Sequence, residues 1–254
     1  MLQLQQISHT FVGHSAPTLN NISLQLAPGD FCVMMGANGS GKSTLLQILS
    51  GMLEPSHGQI SMGGQLTTAK QRRAVVSHML QSVDQATLPA LTLLENLVLS
   101  QQKGCKPGLY GYQRLEPRIR QQVAAIDPKL TDYLQLPLVM LSGGQRQRAA
   151  LLMALNANPR LLLLDEHTAA LDPRSAQQVM AHTAKQVASA QITTLMVTHQ
   201  LEDAIYYGNR LLLLHQGQIV QEIAGAAKAA LTRQQLLLLF VNAMANTSST
   251  PYDA

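Results

Sequence analysis

Residues 31 to 53 read FCVMMGANGSGKSTLLQILSGML. The opening FCVMM is an apolar run without alternation, the form of a strand buried on both faces, and Pro28-Gly29 marks the turn that leads into it. From Ser43 onward, Leu45, Leu46, Ile48, Leu49, Met52 and Leu53 recur at helical spacing until Glu54-Pro55, which predicts a helix ending there. Between strand and helix, Gly36, Gly41, Lys42 and Ser43 fit G-x-x-x-x-G-K-[ST], with Ala37, Asn38, Gly39, Ser40 and Thr44 completing the loop. Glycines let the chain curl so that successive N–H groups point inward at phosphate oxygens, and the helix N-terminus adds partial positive charge. Lys42 then reaches the β and γ phosphates, while the Ser43 hydroxyl ligates Mg²⁺.

Other short apolar runs extend this unit into an α/β core: AVVSHML (74 to 80), LLLLD (161 to 165) and TTLMVT (193 to 198). LQLQQI and ISLQL near the start alternate apolar with polar, as half-buried strands do, so the opening is β-rich. Residues about 84 to 155 read as an inserted helical subdomain, with Thr92-x-x-Glu95 and Ser142-x-x-Gln145 matching the capping box. LLLLHQGQIV predicts two strands joined at Gln216-Gly217, and Thr232-x-x-Gln235 caps a last amphipathic helix. The domain expected is 1 to 240, with 241 to 254 a flexible tail. No internal repeat is present.

LLLLDEHTAALDP (161 to 173) delivers two acids to the carboxyl edge of a core strand, where open α/β sheets place their ligands. Asp165 can hold Mg²⁺ through water, and Glu166 can orient and deprotonate the attacking water. His167 follows them. No second His or Cys falls at ligand spacing, and the acids are committed to Mg²⁺ and water, which argues against zinc. A turn residue, and a group that alters Glu166 protonation or loop geometry, are the remaining readings.

Composition bounds the rest. The 254 residues are 46% hydrophobic, enough for a substantial core, and carry a formal charge of +4. A modest basic cluster at Lys103, Lys106, Arg114, Arg118 and Arg120 reads as a solvated face or a surface for an acidic partner such as phospholipid. Aromatic residues make up 4% and Trp is absent, which argues against a base-stacking nucleic-acid platform. Cys32 and Cys105 lack C-x-x-C spacing, which suits a reducing compartment and excludes a cysteine metal site. No charged-then-apolar leader opens the sequence, and the longest unbroken aliphatic and aromatic run, Leu236 to Val241, is far short of the ~20 residues a membrane span needs.

LSGGQRQRA (141 to 149), with the phosphate loop and the Asp-Glu strand in this order, resembles the ATP-binding-cassette family over about residues 1 to 240. Five elements carry the resemblance: Gly36 to Thr44, Gln81 after a core strand, Leu141 to Gln145, AALD (169 to 172), and His199 after TLMVT. The fold this implies is α/β, a P-loop NTPase core with a mixed sheet, an N-terminal antiparallel β subdomain and an inserted α-helical signature subdomain. In such a cassette Ser142, Gly143, Gly144 and Gln145 bind the γ-phosphate of ATP held by the opposite subunit, giving two composite sites in a head-to-tail dimer of this chain or a paired cassette. The resemblance further implies that Asp172 aligns the two halves, His199 reports the γ-phosphate, Phe11 stacks on adenine, and Gln81 touches Mg²⁺ or the attacking water.

DEHTAALDP and TTLMVTHQLEDAIYYGNRLLLLHQG look like a subgroup paired with amino-acid-type permeases and periplasmic binding proteins. The implied function is ATP hydrolysis driving a bacterial importer from the cytoplasmic face of the inner membrane, peripherally, through separate permease subunits. An exporter ATPase and a soluble non-transport cassette acting on ribosomes or DNA are the alternatives. At His167 the sequence departs from the family, which mostly has Pro there.

Overall fold

The computed structural model describes residues 1–80, 87–101, 112–169 and 171–245. In chain order, β1 (Leu2–His9), β2 (Leu19–Leu26) and β3 (Phe31–Met35) lead to α1 (Lys42–Ser50), β4 (His57–Met62), β5 (Gln65–Leu66) and α2 (Ala69–Val75). Then come β6 (Val76–Met79), α3 (Leu93–Gln101), α4 (Glu116–Ile126), α5 (Gly143–Asn156), β7 (Leu161–Asp165) and α6 (Pro173–Ala190). The chain closes with β8 (Thr193–Val197), α7 (Leu201–Tyr206), β9 (Arg210–His215), β10 (Gln218–Ala224), α8 (Gly225–Ala229) and α9 (Arg233–Ala245). Two compact units result, Met1–Arg72 with Gln191–Ala254, and Arg73–Ala190.

The first unit holds the antiparallel sheet β2-β1-β4-β5 and, in a mixed sheet, the strands β10-β9-β3-β8. Alternation, interrupted by register shifts at Gln6 (φ 52°) and Asn21 (φ 54°), decides the first sheet: Leu2, Leu4 and Ile7 of β1 and Leu19, Ile22, Leu24 and Leu26 of β2 turn inward, with the polar residues between them more exposed. β3 is buried at every position and pairs in parallel with β8 on one side and β9 on the other. Central placement excludes water from both faces, which explains why it is uniformly apolar. Cys32 packs there as a small hydrophobe, and burial pushes its thiol pKa up, out of reach of thiolate chemistry. β9 and β10 join through Gln216 (φ 43°) and Gly217 (φ 75°), the paired positive angles of a two-residue hairpin turn.

α1 stops at Ser50, short of the expected Glu54-Pro55, because Gly51 adopts a left-handed cap (φ 78°) and its N–H closes onto the carbonyls of Gln47 and Ile48. A Cβ at Gly51 would lie 2.4 Å from the Ala69 carbonyl oxygen, so the start of α2 sits on the end of α1. Arg72 of α2, 1% exposed, secures that junction. Its Nε donates to Ile48 O (3.0 Å), Nη1 to Thr67 O (2.8 Å) and Nη2 to Glu54 Oε2 (2.8 Å). The AVVSHML run is a strand only from Val76, since α2 continues through Val75.

In the second unit β6 and β7 run parallel, Val76 opposite Leu161 and Met79 opposite Leu164. Its helices pack around Leu93, Leu97, Ile119, Val123, Leu130, Leu138 and Leu152. Both capping boxes form: Thr92 N donates to Glu95 Oε2 (2.8 Å) and Glu95 N to Thr92 Oγ1 (3.2 Å), with the same exchange between Ser142 and Gln145. The Thr232–Gln235 pair opens α9 in the first unit likewise. α9 is less one-sided than the amphipathic helix expected: Leu236 is buried, while Leu237, Leu238 and Val241 are exposed.

Arg72→Met keeps the buried stem and removes three donors, taking one from the Thr67 carbonyl and leaving the Ile48 carbonyl with the Gly51 N–H. It should cost about 3 kcal/mol in urea unfolding, whereas Glu54→Gln, on a more exposed partner, should cost about 1 kcal/mol or less.

Candidate active site

In the first unit the chain leaves β3 at a position with no space for a side chain. A Cβ at Gly36 would stand 2.3 Å from Leu214 O and 2.6 Å from Ser40 Oγ. Gly39 (φ 77°) and Gly41 (φ 102°) supply the left-handed steps that turn the loop back into α1, and a Cβ at Gly41 would meet Leu19 Cδ2 at 2.6 Å. Lys42 is 7% exposed and folds across the loop, its Nζ donating to Gly36 O (2.8 Å) and Ala37 O (2.9 Å). Gly217 N fixes the far side by donating to Ser40 O (2.9 Å).

This cradle suits an anion of phosphate type. No side chain caps the start of α1 and no acid lies in its first turn, so nothing negative competes for its N–H groups. Ser40 Oγ is buried without a hydrogen-bond partner, a polar atom that an incoming oxygen would satisfy. Ser43 is exposed at the rim.

The same strand edge carries His199. Thr198 N donates to Met34 O (3.3 Å), holding the end of β8 beside the end of β3, and the next residue, His199, is exposed there. Phe11 lies on the β1–β2 connection, 38% exposed. Its ring meets His9 edge to face, with centroids 4.7 Å apart and planes at 80°. Thr18, at the end of that connection, and Leu19, the first residue of β2, crowd Gly41.

The second unit assembles the acidic residues and the signature helix. Asp165 ends β7, half-buried after four buried leucines. Glu166 takes φ 45°, a left-handed backbone uncommon for a non-glycine residue, and Ala169 N donates to its carbonyl (2.9 Å) to close a tight turn. Ser142 caps α5, so the first-turn N–H groups of α5 emerge at Gly143 and Gly144. A Cβ on Gly143 or Gly144 would make only ordinary contacts, 3.8 Å to Leu171 Cδ2 and 3.7 Å to Ser175 Cβ. Asp172 caps α6 by accepting from Ser175 N (3.1 Å), and this bonding holds its carboxyl below the usual range. Gln81 lies outside the described residues.

His167 is the residue whose setting the sequence conceals. It occupies a turn, as expected, but is 2% exposed, and its Nε2 lies 3.3 Å from Thr183 Oγ1 of α6. Burial lowers its pKa to about 4, so the ring is neutral at physiological pH. Gln147 of α5, also unmarked in the sequence, donates its Nε2 to the His167 carbonyl. Their spacing of 20 residues gives no local signal.

A family model described as ABC transporter matches residues 19–169. The chain belongs to the ABC transporter family. Among relatives, a tyrosine transport ATP-binding protein of Clostridioides difficile is 39% identical over 94% of this chain and 98% of its own length. The taurine import ATP-binding protein TauB of Pseudomonas fluorescens is 35% identical over 88% and 81%. Among solved structures, the dimeric post-hydrolysis state of the ATP-binding cassette MJ0796 bound to ADP and Pi matches with a TM-score of 0.73 at 28% identity, covering 88% of this chain and 98% of that one. As an ABC ATPase, the chain binds ATP and hydrolyses it.

The buried imidazole imposes a pH dependence on stability. In the unfolded chain the ring protonates near 6.5, whereas in the fold it resists until about 4. As pH falls through that window the unfolded state binds the proton first and is favoured, so the stability present above 6.5 is lost. Wild type should therefore lose on the order of 3 kcal/mol more than His167→Gln between pH 7 and pH 4 in denaturant titrations. Parallel curves for the two proteins would show that the ring ionises freely in the fold.

Proposed function

We infer that the chain is the ATP-hydrolysing subunit of an ABC importer, acting as a head-to-tail dimer on separate permease subunits. The observation that carries this reading is the contrast between two glycine sets. Gly36 and Gly41 are forced by this chain's own packing, whereas Gly143 and Gly144 have room for a Cβ within the described structure. Glycine at the signature helix therefore fits close approach by something outside the chain, and the uncovered N–H groups there suit phosphate oxygens. A second copy, or a paired cassette, would bring its nucleotide to that point.

In this reading Lys42 and the loop amides hold the β and γ phosphates and Phe11 stacks on the adenine. Ser43, Asp165 and Gln81 would hold Mg²⁺, which when bound neutralises phosphate charge. Glu166 takes the proton of the attacking water, and His199 donates a hydrogen bond to the γ-phosphate and loses it after cleavage. Asp172 stiffens the segment that meets the opposite subunit. A glutamate base works only at a fixed distance from its water, and the closed turn at Glu166 supplies that rigidity.

Permease contact falls to the second unit. Ser77, Met79, Leu88, Leu99, Met153 and Ala154 are among the residues lining a cleft of ≈ 430 Å³, largely apolar, with Leu88 and Leu99 exposed at it. An apolar cleft of this size accepts side chains from a short helix of a partner. Among the described residues no helix is long and apolar enough to cross a membrane. The reading thus gives the pathway to permease subunits, with the ATPase peripheral at the cytoplasmic face and a periplasmic binding protein selecting the solute. The name of the tyrosine-transport relative favours an amino-acid-like solute.

Glu166→Gln should retain ATP binding, accumulate an ATP-bound dimer and lose at least a hundredfold in turnover; near-normal turnover would remove Glu166 from the base role. Ser142→Arg should block hydrolysis while leaving ATP affinity of the monomer within a few-fold, and weakened monomer binding would contradict the trans assignment. Leu99→Asp should leave ATPase activity of the isolated chain intact and abolish copurification with the permease. Recovery of a permease with a binding protein supports import; a permease alone indicates export, and ribosomes or DNA would sink both.

A further inference from the structure

We propose that Gln147 is a positioning residue for the catalytic turn of its own chain, although it lies on the helix whose first residues serve the opposite site. The inference rests on the assignment of Glu166 as base and extends it to the group that holds the base in place. Gln147 lies two residues beyond Gln145, where the signature ends, and faces inward, 4% exposed. Its Nε2 donates to the carbonyl of His167, the residue that directly follows Glu166.

Three restraints converge on this turn. Ala169 N closes it onto Glu166 O, the His167 ring anchors it to Thr183 of α6, and the Gln147 amide anchors its backbone to α5. Thr183 Oγ1 is itself oriented, donating to Val179 O at 2.8 Å. A left-handed Glu166 is not the conformation its own backbone prefers, and such geometry persists only where the surroundings over-determine it. Of the three, only Gln147 grips the main chain from a different helix. Without that donor the His167 carbonyl, buried beside a neutral ring, loses this hydrogen bond, and the peptide between His167 and Thr168, which fixes the exit from Glu166 and His167, becomes freer to rotate.

One helix would thus serve two sites, its N-terminus the partner's nucleotide and its second turn this chain's glutamate. A mixed dimer separates these duties. With Lys42→Ala in one chain, turnover comes only from the site using the intact chain's P-loop and Glu166 together with the other chain's signature. Gln147→Met in the intact-P-loop chain should lower kcat about tenfold with KM for ATP within twofold. The same substitution in the Lys42→Ala chain should leave turnover within twofold. Equal losses from both placements, or a larger loss from the second, would overturn the proposal and assign Gln147 to the signature instead.

A readout independent of turnover accompanies this. In the nucleotide-free chain the Ala169 amide should exchange with deuterium at least tenfold faster in Gln147→Met, and unchanged protection would count against the restraint. If Gln147→Met does not fold, Thr183→Val, which keeps the shape and loosens the His167 ring, should reproduce the same placement asymmetry with a loss of about threefold; symmetric or absent loss overturns the proposal. Glu166→Gln in the intact-P-loop chain is the control. If it leaves turnover standing, the base assignment fails, separately from any result at Gln147.

Discussion

The molecule's chemistry depends on one steric exclusion: the carbonyl oxygen of Leu214 occupies the space where Gly36 would otherwise carry a side chain. β9 lies against β3 so closely that the chain can leave β3 only as bare backbone, and the left-handed steps at Gly39 and Gly41 then return it into α1. A loop that is bare backbone at Gly36, Gly39 and Gly41 presents amides to whatever enters. Lys42 crosses it and bonds to two of its carbonyls, so its charge is placed before any ligand arrives and little is lost in ordering it. The buried apolar strands on either side of β3 make this framework stiff.

The second unit solves a different problem with the same elements. In the proposed role of base its glutamate must be positioned rather than merely exposed, and Glu166 has a strained, left-handed backbone. Packing around His167 offsets that strain. A neutral, buried ring bonded to Thr183 does by hydrogen bonding what a proline would do by ring closure, but it adds a proton-linked term that a proline lacks. The restraint on this turn is therefore conditional on protonation.

Much of this was legible in the sequence because the signals are local. The phosphate loop, the three capping boxes and the hairpin at Gln216-Gly217 each depend on residues a few positions apart, and each forms as the spacing implies. Uniformly apolar runs identified β3, β7 and β8 for the same reason. What escaped was non-local. Gly51 ends α1 early because Ala69 leaves no room there, and Arg72 caps a helix 24 residues upstream, where spacing says nothing. His167 reads as a turn residue or a modifier of Glu166, and nothing near it in the sequence shows that it is buried and held from α5 and α6. The α9 apolar run reads as a helix face, but only the fold decides that Leu236 is inside and Leu238 outside.

The left-handed turn at Glu166 has a consequence for reading related genes. Backbone energetics at that position favour Gly, Asn or Asp, so Glu there carries a conformational cost that the proposed role of base would justify. Once a lineage no longer requires turnover, that justification vanishes while the backbone preference stays. Drift should then run downhill toward the residues that the turn accommodates best, making this codon an early record of whether a cassette still hydrolyses nucleotide or has become a binding scaffold.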